Sequence, residues 1–216
     1  MQEFIEIMGM IIKTVPIGEF DRRLVILTKE RGKITAFVKG ARKPSSRFIA
    51  TTNLFCFGTF KLYEGRNSYT LADTDINNFF EELRIDFEGA YYGMYFLEIA
   101  DYYTRENNDE REMLKLLFQS LKALCSKSLD NRLVRYIYEL KSIMVNGEFP
   151  GITDKTDILE STIYTLDYIQ ESSIEKLYTF CVTEDVLDEL GRIAETIRKR
   201  CIDYSFKSLS ILTSIL

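Results

Sequence analysis

Basic residues are concentrated in one short stretch of this chain, from Arg22 to Arg47. The stretch holds nine basic side chains and one acid, Glu30, a local net charge of +8 in a chain of 216 residues with net charge −5. Its basic residues are Arg22, Arg23, Lys29, Arg31, Lys33, Lys39, Arg42, Lys43 and Arg47. A positive cluster on an acidic protein attracts polyanions, and the phosphate backbone of a nucleic acid is the most common one.

The second half of this stretch has the composition of a phosphate-binding loop. Lys39-Gly40-Ala41-Arg42-Lys43 follows a short β pattern and continues into Pro44, Ser45 and Ser46. A loop of this kind presents cations, hydroxyls and backbone N–H groups to phosphate oxygens. We predict DNA contacts from seven side chains, Arg22, Arg23, Lys33, Lys39, Arg42, Lys43 and Arg47.

Four aromatic residues lie in or near the basic stretch, and two interpretations of them remain open. Phe37, Phe48, Tyr63 and Tyr69 either offer faces on which bases stack or fill the protein core.

Catalytic and metal-binding chemistry finds little support in the composition. The chain has no histidine, which excludes a Ser-His-Asp or Cys-His pair and a histidine-ligated metal. The four cysteines, at positions 56, 125, 181 and 201, are not spaced as a zinc site. Asp73 and Asp75 have the spacing of a carboxylate pair, but we interpret them as a turn at a strand end. We therefore predict no metal, no cofactor and no enzymatic activity.

The first 80 residues read as β structure. Strands are predicted at Met10–Val15, Arg22–Thr28, Lys33–Lys39, Leu54–Tyr63 and Tyr69–Ala72, with Gly58 marking a bulge or sharp bend. Five short strands separated by turn residues indicate a small closed barrel, and an OB fold is the natural candidate.

The remainder, residues 81–216, reads as helical. Apolar residues recur at helical spacing in 87–103, 110–126 and 131–146, and Thr183 is placed to cap a further helix that runs to about Ile202. Residues 148–172 are the least regular and resemble an insertion. The fold class is therefore α+β, with a barrel at 1–80 followed by an all-helical domain at 81–216.

Charge divides at the same boundary. Residues 1–80 carry a net charge of +4, and residues 81–216 carry −9. Arg132, Arg135 and Lys141 lie on one predicted helix and are candidates for binding an acidic peptide, although a solvated helix face is the favoured interpretation of them. No apolar run approaches the roughly 18 residues that span a bilayer. The first ten residues lack the basic segment of a secretion signal, so we expect no membrane association and a cytoplasmic location.

Several motifs also resemble a known family. The pattern Gly18-Glu19, Asp21, Thr28, Gly32-Lys33, Lys39-Gly40-Ala41-Arg42 and Ser46 resembles the N-terminal region of RecO, the bacterial recombination mediator. Tyr138-Glu139-Leu140, Gly147 and Phe206-Lys207-Ser208-Leu209 are similar to its later signatures. The similarity extends over nearly the whole chain.

The resemblance implies a protein that binds single- and double-stranded DNA, anneals complementary strands and works at the nucleoid. It also implies partnership with RecR and with the C-terminal tail of single-stranded DNA-binding protein, and through them the loading of RecA. Many members carry a four-cysteine zinc site after the glycine that corresponds to Gly147. Residues 147–176 contain no cysteine, so the domain at 81–216 is expected to hold a cysteine-free insertion at about 148–176.

Two other functions are compatible with the residues. A protein-interaction adaptor would use the basic loop to bind an acidic partner without touching nucleic acid. A carboxylate-based nuclease would need more acids around a Mg²⁺ ion than Asp73 and Asp75 supply near the basic stretch.

Overall fold

The N-terminal strands close into a barrel, as the sequence predicts. The computed structural model describes residues 4–66, 68–152 and 156–215. Its strands are β1 (Phe4–Ile17), β2 (Asp21–Thr28), β3 (Lys33–Val38), β4 (Phe57–Glu64) and β5 (Tyr69–Asn78).

The order of strands around the barrel is that of an OB fold. Neighbours follow the order β1-β2-β3-β5-β4, and β4 returns to pair with the first half of β1. All pairs are antiparallel except β3 with β5, which is parallel. The long strand β1 belongs to both halves of the barrel because it pairs with β4 at one end and with β2 at the other.

Alternation of side chains along the strands fills the barrel. Leu24 and Ile26 of β2 lie opposite Ala36 and Ile34 of β3, and all four are buried. The alternate residues Val25 and Thr35 are more exposed, as are Arg23 and Phe37 on the same outer face. The sheet therefore has a closed apolar interior and an outer face that is available for binding.

Two glycines permit close approach of strands. A Cβ on Gly58 would lie 2.1 Å from Asp75 O, and one on Gly9 would lie 2.5 Å from Leu27 O. The register of β4 against β5 shifts between Phe57 and Gly58, which confirms the irregularity predicted at this glycine.

Three strand boundaries differ from the prediction by three or more residues. β1 begins at Phe4 instead of Met10, β4 begins at Phe57 instead of Leu54, and β5 continues to Asn78 instead of ending at Ala72. The polar second half of β5 has little strand propensity, but β4 supplies a full set of backbone partners for it. Asp73 and Asp75 therefore lie within a strand, and their interpretation as a turn was wrong.

The second part of the chain is helical. Its helices are α1 (Glu82–Ile85), α2 (Phe87–Tyr103), α3 (Arg111–Leu124), α4 (Asn131–Val145), α5 (Glu160–Glu171), α6 (Glu184–Cys201) and α7 (Lys207–Ile215), with a short 3-10 turn at Ile174–Lys176. Thr183 lies at the N-cap of α6 with an extended backbone, but its side chain makes no capping hydrogen bond.

The interpretation of residues 148–172 as the least regular segment was wrong for its second half, which α5 occupies. Leu166 and Ile169 of α5 are buried. The ammonium group of Lys141, on α4, donates to three carbonyl oxygens at the end of α5. The helix is thus an integral part of the helical core.

The chain forms two compact units. One comprises residues 1–81 and 100–114, and the other comprises residues 82–99 and 115–216. In the second unit the rings of Phe96 and Tyr138 stack with centroids 4.2 Å apart, and Tyr138 OH donates to Phe96 O at 2.9 Å. Among the described residues, no helix combines the length and the apolar character needed to cross a membrane.

Candidate nucleic-acid interface

The basic loop, defined as residues 39–56 between β3 and β4, is attached to the start of β2. Gly40 has φ of +65°, and its N–H donates to Asp21 Oδ1 at 2.7 Å. The N–H of Arg42 donates to Phe20 O at 2.8 Å. The basic loop therefore leaves the barrel beside the turn that joins β1 to β2.

Five of the seven predicted DNA-binding side chains are exposed, and four of these five lack an acidic partner in the described residues. Arg42 contacts Gly18 O only weakly, at 3.4 Å, and the Lys43 ammonium lies 5.7 Å from the centroid of the Phe20 ring. Within the described part of the chain, none of the four makes an ion pair. They are Arg23, Lys39, Arg42 and Lys43. Their charges are available to phosphate oxygens.

Arg22 and Lys33 are used within the protein. Lys33 Nζ donates to Asp101 O at 2.7 Å and to Asp101 Oδ1 at 2.8 Å. Arg22 Nη1 donates to the carbonyl and hydroxyl oxygens of Thr52 and to Asn53 Oδ1, at 2.8–3.2 Å. Both side chains are half-buried, so neither presents its charge as those four do.

Arg47 is accessible but already engaged. Its side chain is 64% exposed, and its guanidinium lies 3.3 Å from Asp73 Oδ1 and donates to Ala72 O at 2.6 Å. It also lies over the ring of Phe48, 4.8 Å from the centroid. A phosphate would have to displace Asp73 to bind Arg47.

Two further cations of the basic stretch have acidic partners. Arg31 Nη1 lies 2.8 Å from Glu64 Oε1 and donates to Tyr69 OH at 2.9 Å. These hydrogen bonds, first that to Tyr69 and then that to Glu64, raise the pKa of Arg31. Lys29 pairs with Glu30 at 3.5 Å. The effective charge of the surface is therefore smaller than the +8 counted along the sequence.

The structure divides the aromatic residues between core and surface. Tyr69 belongs to the barrel core, and Phe48 and Tyr63 are half-buried. Phe37 is 37% exposed, as is Phe20, which the sequence analysis did not single out. The available signal was the position of Phe20 in a turn, two residues after Gly18, where no strand alternation assigns an aromatic ring to the core.

Each exposed ring has a cation beside it. Phe37 lies directly across from Arg23 in the β2–β3 pair, and both point to the outer face of the barrel. Phe20 has the ammonium of Lys43 over its ring. This combination of ring and cation suits single-stranded nucleic acid, in which bases stack on aromatic faces while phosphates contact basic groups.

The three residues proposed for partner binding have different environments. Arg132 lies 2.8 Å from both Asp130 and Glu184, and these contacts raise its pKa. Lys141 is buried, and its ammonium group donates to three carbonyl oxygens. Lys141 is thus a structural residue of the helical unit, and we do not propose it for partner binding.

Arg135 belongs to a buried charged cluster. Its Nε donates to Glu139 Oε1 at 2.9 Å, and Tyr95 OH donates to the same oxygen at 2.6 Å. Arg198 approaches this carboxylate at 3.9 Å. Burial, and then the charge of Glu139, raise the pKa of Tyr95 well above its ordinary value, so it stays a donor. Two guanidinium groups share one carboxylate, and the cluster keeps a net positive charge.

A cavity of about 510 Å³ opens beside this cluster. Its charged lining residues are Arg135, Arg192 and Arg198 together with Asp188 and Glu195, and Phe206 is an apolar one. The sequence analysis missed Arg192 and interpreted Arg198 only as a favourable charge near the end of a helix. The approach of α4 and α6 that joins these arginines has no signature in the local sequence. In the described residues, no group of three or more cysteine and acidic side chains is arranged to hold a metal ion.

These features define a closed five-stranded barrel with an exposed basic loop, followed by a helical unit, and comparison with known proteins identifies the family. Residues 1–80 match the family "Recombination protein O N terminal" and residues 84–157 match "Recombination protein O C terminal". The chain belongs to the RecO family of DNA repair proteins.

Individual relatives agree with this assignment. DNA repair protein RecO of Acetivibrio thermocellus is 27% identical over 244 residues, covering 98% of this chain and 97% of the relative. RecO of Clostridium novyi is 25% identical, covering 94% and 91%. RecO of Alkaliphilus metalliredigens is 32% identical over 145 residues, covering 67% and 59%.

Proposed function

We propose that this protein is a recombination mediator without catalytic activity. In this proposal it binds single- and double-stranded DNA, anneals complementary strands and, together with RecR, helps to load RecA onto DNA coated by single-stranded DNA-binding protein. Membership of the RecO family supports a role in DNA repair, and the finer activities follow from the sequence resemblance described above.

One observation carries the DNA-binding part of the proposal. Four exposed cations without acidic partners in the described residues, Arg23, Lys39, Arg42 and Lys43, lie beside two exposed phenylalanines on and next to the β2–β3 face of an OB fold. This face is where OB folds in general bind oligonucleotides. Cations support affinity for any strand, and the rings add affinity for bases that are not paired.

Charge neutralisation accounts for strand annealing. Two DNA strands repel one another through their phosphates, and the basic loop lowers this repulsion when it contacts both. Bases held on Phe20 and Phe37 remain free to leave the ring and pair, because stacking contributes only about 1–3 kcal/mol per base.

The cavity beside Arg135 and Arg198 is our proposed site for an acidic protein tail. Three arginines line it beside the carboxylates of Asp188 and Glu195, Arg192 is exposed, and Phe206 supplies an apolar wall. A peptide with carboxylates and an apolar residue, such as the tail of single-stranded DNA-binding protein, fits this chemistry. Arg132 is the weaker candidate because two carboxylates already hold it.

Charge reversal in the basic loop tests the interface. Arg42→Glu/Lys43→Glu should weaken DNA binding uniformly across sequences. It should also flatten the dependence of log K on log salt by about 0.9 per lost duplex phosphate contact, or about 0.7 per single-strand contact. Lys122→Glu/Lys127→Glu is a matched control, since both lysines are exposed on the helical unit. An unchanged salt slope in the loop variant would place the interface elsewhere.

Annealing of two complementary oligonucleotides coated with single-stranded DNA-binding protein tests the mediator function. The protein should accelerate annealing, and Arg42→Glu/Lys43→Glu should abolish the acceleration. Absence of acceleration together with absence of DNA binding in low salt would contradict the proposal. Binding of an acidic peptide to the basic loop under those same conditions would favour an adaptor instead.

A further inference from the structure

Arg22 differs from the other cations of the basic stretch in that its guanidinium is bonded to the basic loop itself. We infer that Arg22 is a positioning residue that holds the basic loop in its DNA-binding conformation through Thr52 and Asn53, without itself contacting phosphate. The consequence for DNA affinity rests on the proposed function. The conformational part concerns the free protein and stands independently of it.

The position of Arg22 on β2 aims its side chain inward. Arg22 has the same strand parity as Leu24 and Ile26, which are fully buried in the barrel, and it lies opposite Val38 on β3. Its half-buried guanidinium therefore lies under the basic loop and meets the loop from the barrel side.

The atoms that Arg22 contacts are the ones that organise the second half of the basic loop. Thr52 is fully buried, and its hydroxyl accepts from Arg22 at 2.8 Å while donating to Phe48 O at 2.7 Å. Asn53 accepts from Arg22 at 3.1 Å and donates through Nδ2 to Ile49 O at 3.0 Å. One guanidinium thus reaches both side chains that close the turn at residues 48–53.

The first half of the basic loop is also bonded to the segment that contains Arg22, residues 20–22. Phe20 O accepts from the Arg42 backbone and Asp21 Oδ1 accepts from the Gly40 backbone, as described above. Three consecutive residues, 20–22, therefore hold both ends of the loop. Burial, and then repulsion from Arg42, lower the pKa of Arg22, which agrees with a guanidinium placed below the exposed cations and bonded only to neutral acceptors.

Losing this contact should reduce affinity without removing a phosphate contact. If the loop also populates other conformations, its apparent affinity falls in proportion to the fraction of molecules that are in the binding-competent conformation. We expect Arg22→Gln to weaken oligonucleotide binding about tenfold, since one net hydrogen bond corresponds to a factor of roughly 2 to 12. The slope of log K against log salt should stay within about 0.3 of the wild-type slope, because the exposed cations remain.

Thr52→Val is the decisive partner variant, because it removes no charge. If Arg22 acts through Thr52, then Thr52→Val should weaken DNA binding in the same direction, and the double variant should be no weaker than the worse single variant. Ile26→Val, a core substitution with a comparable loss of stability, should leave DNA affinity unchanged. A salt slope lowered by about 0.7 or more in Arg22→Gln, with wild-type affinity in Thr52→Val, would instead make Arg22 a phosphate contact and overturn the inference.

Hydrogen–deuterium exchange of the free full-length protein separates this inference from the proposed function. Arg22→Gln and Thr52→Val should both lose amide protection in residues 39–56 while β1 to β5 keep theirs. Unchanged protection in the basic loop of both variants would overturn the inference. If the wild-type protein bound no DNA, the proposed function would fail while the exchange result still decided what Arg22 does.

Discussion

Two adjacent arginines of the basic stretch differ in exposure and in their contacts. Arg22 and Arg23 are adjacent, yet the first lies half-buried under the basic loop and the second is exposed on the outer face. Successive side chains of a strand point to opposite faces, so a one-residue offset decides which guanidinium is available to DNA. Lys33, which was also predicted to contact DNA, is engaged for another reason: Asp101, far along the chain, accepts its hydrogen bonds.

The exposed phenylalanines should distinguish single strands from duplex DNA. Phe20→Ala and Phe37→Ala should each weaken single-strand binding by about 1–3 kcal/mol per lost stacked base and change duplex binding far less. Fluorescence anisotropy with matched single-stranded and duplex oligonucleotides measures both. Phe4→Ala is the control, since Phe4 is an exposed aromatic on β1, away from the basic loop in the strand order. Equal losses on both DNA forms would show that the rings support the fold rather than bind bases.

Asp130 is the N-cap residue of α4, and its carboxylate makes the stability of this helix end depend on pH. Its side chain accepts from the backbone N–H of Arg132 at 2.8 Å and pairs with the Arg132 guanidinium at 2.8 Å. The hydrogen bond to the Arg132 side chain is the main cause of the lowered pKa of Asp130. A carboxyl whose pKa falls on folding stabilises the protein above its ordinary pKa, and that stabilisation is lost as pH drops through the lowered value.

This behaviour predicts a difference between two substitutions. Asp130→Ala should lose about 1 kcal/mol at neutral pH because the cap is removed. Asp130→Asn keeps a capping oxygen and should lose only the charged pair, so its deficit should shrink as pH falls below the ordinary carboxyl pKa of 3.8. Urea unfolding of the three proteins from pH 7 to pH 3 measures this. A deficit of Asp130→Asn that is the same at every pH would contradict the assignment.

At the scale of elements, strong local patterns were predictable and weak ones were decided by packing. The apolar spacing of residues 87–103 predicted α2 with the bounds that it has in the structure. α5 was missed because Thr162, Ile163 and Thr165 are β-branched and lower its helix propensity. Burial of Leu166 and Ile169 in the helical core outweighs that propensity.

Lys141 should be a main support of α5. Lys141→Met keeps the length and apolar stem of the side chain but leaves the carbonyls of Ile169, Gln170 and Ser172 without their donor. We expect a loss of about 1–3 kcal/mol in the free energy of unfolding. Denaturant titration, with Lys122→Met as an exposed lysine control, tests this. Equal stability of the two variants would mean that water satisfies these carbonyls.

At the scale of the whole molecule, the two proposed binding functions belong to different units. Residues 1–80 carry net positive charge and residues 81–216 carry net negative charge, and three arginines of the latter segment meet at the helical cavity. DNA and an acidic protein tail are both polyanions, so the two proposed sites would allow the protein to hold both without competition.

Separate sites predict that the two binding functions can be lost one at a time. Arg42→Glu/Lys43→Glu should abolish DNA binding and keep binding of an acidic tail peptide, whereas Arg192→Glu should do the reverse. Arg192 suits this test because it is exposed, unlike Arg135 and Arg198, which hold the buried Glu139. Isothermal titration calorimetry of each of the two variants with an oligonucleotide and with the peptide gives four dissociation constants. Loss of both ligands in either variant would indicate one shared site.

The sequence by itself determined the class of the fold, the location of the basic stretch and the absence of histidine chemistry. These properties depend on local alternation, helical spacing and composition, which are readable along a single chain. Tertiary structure alone decided which cations are engaged within the protein. The partners of Lys33, Arg47 and Arg22 are Asp101, Asp73 and Thr52, and each lies 25 or more positions away. It also decided which aromatic rings are exposed and which arginines meet at the helical cavity. Long-range partners are chosen by barrel closure and helix packing, and neither leaves a local signature in the sequence.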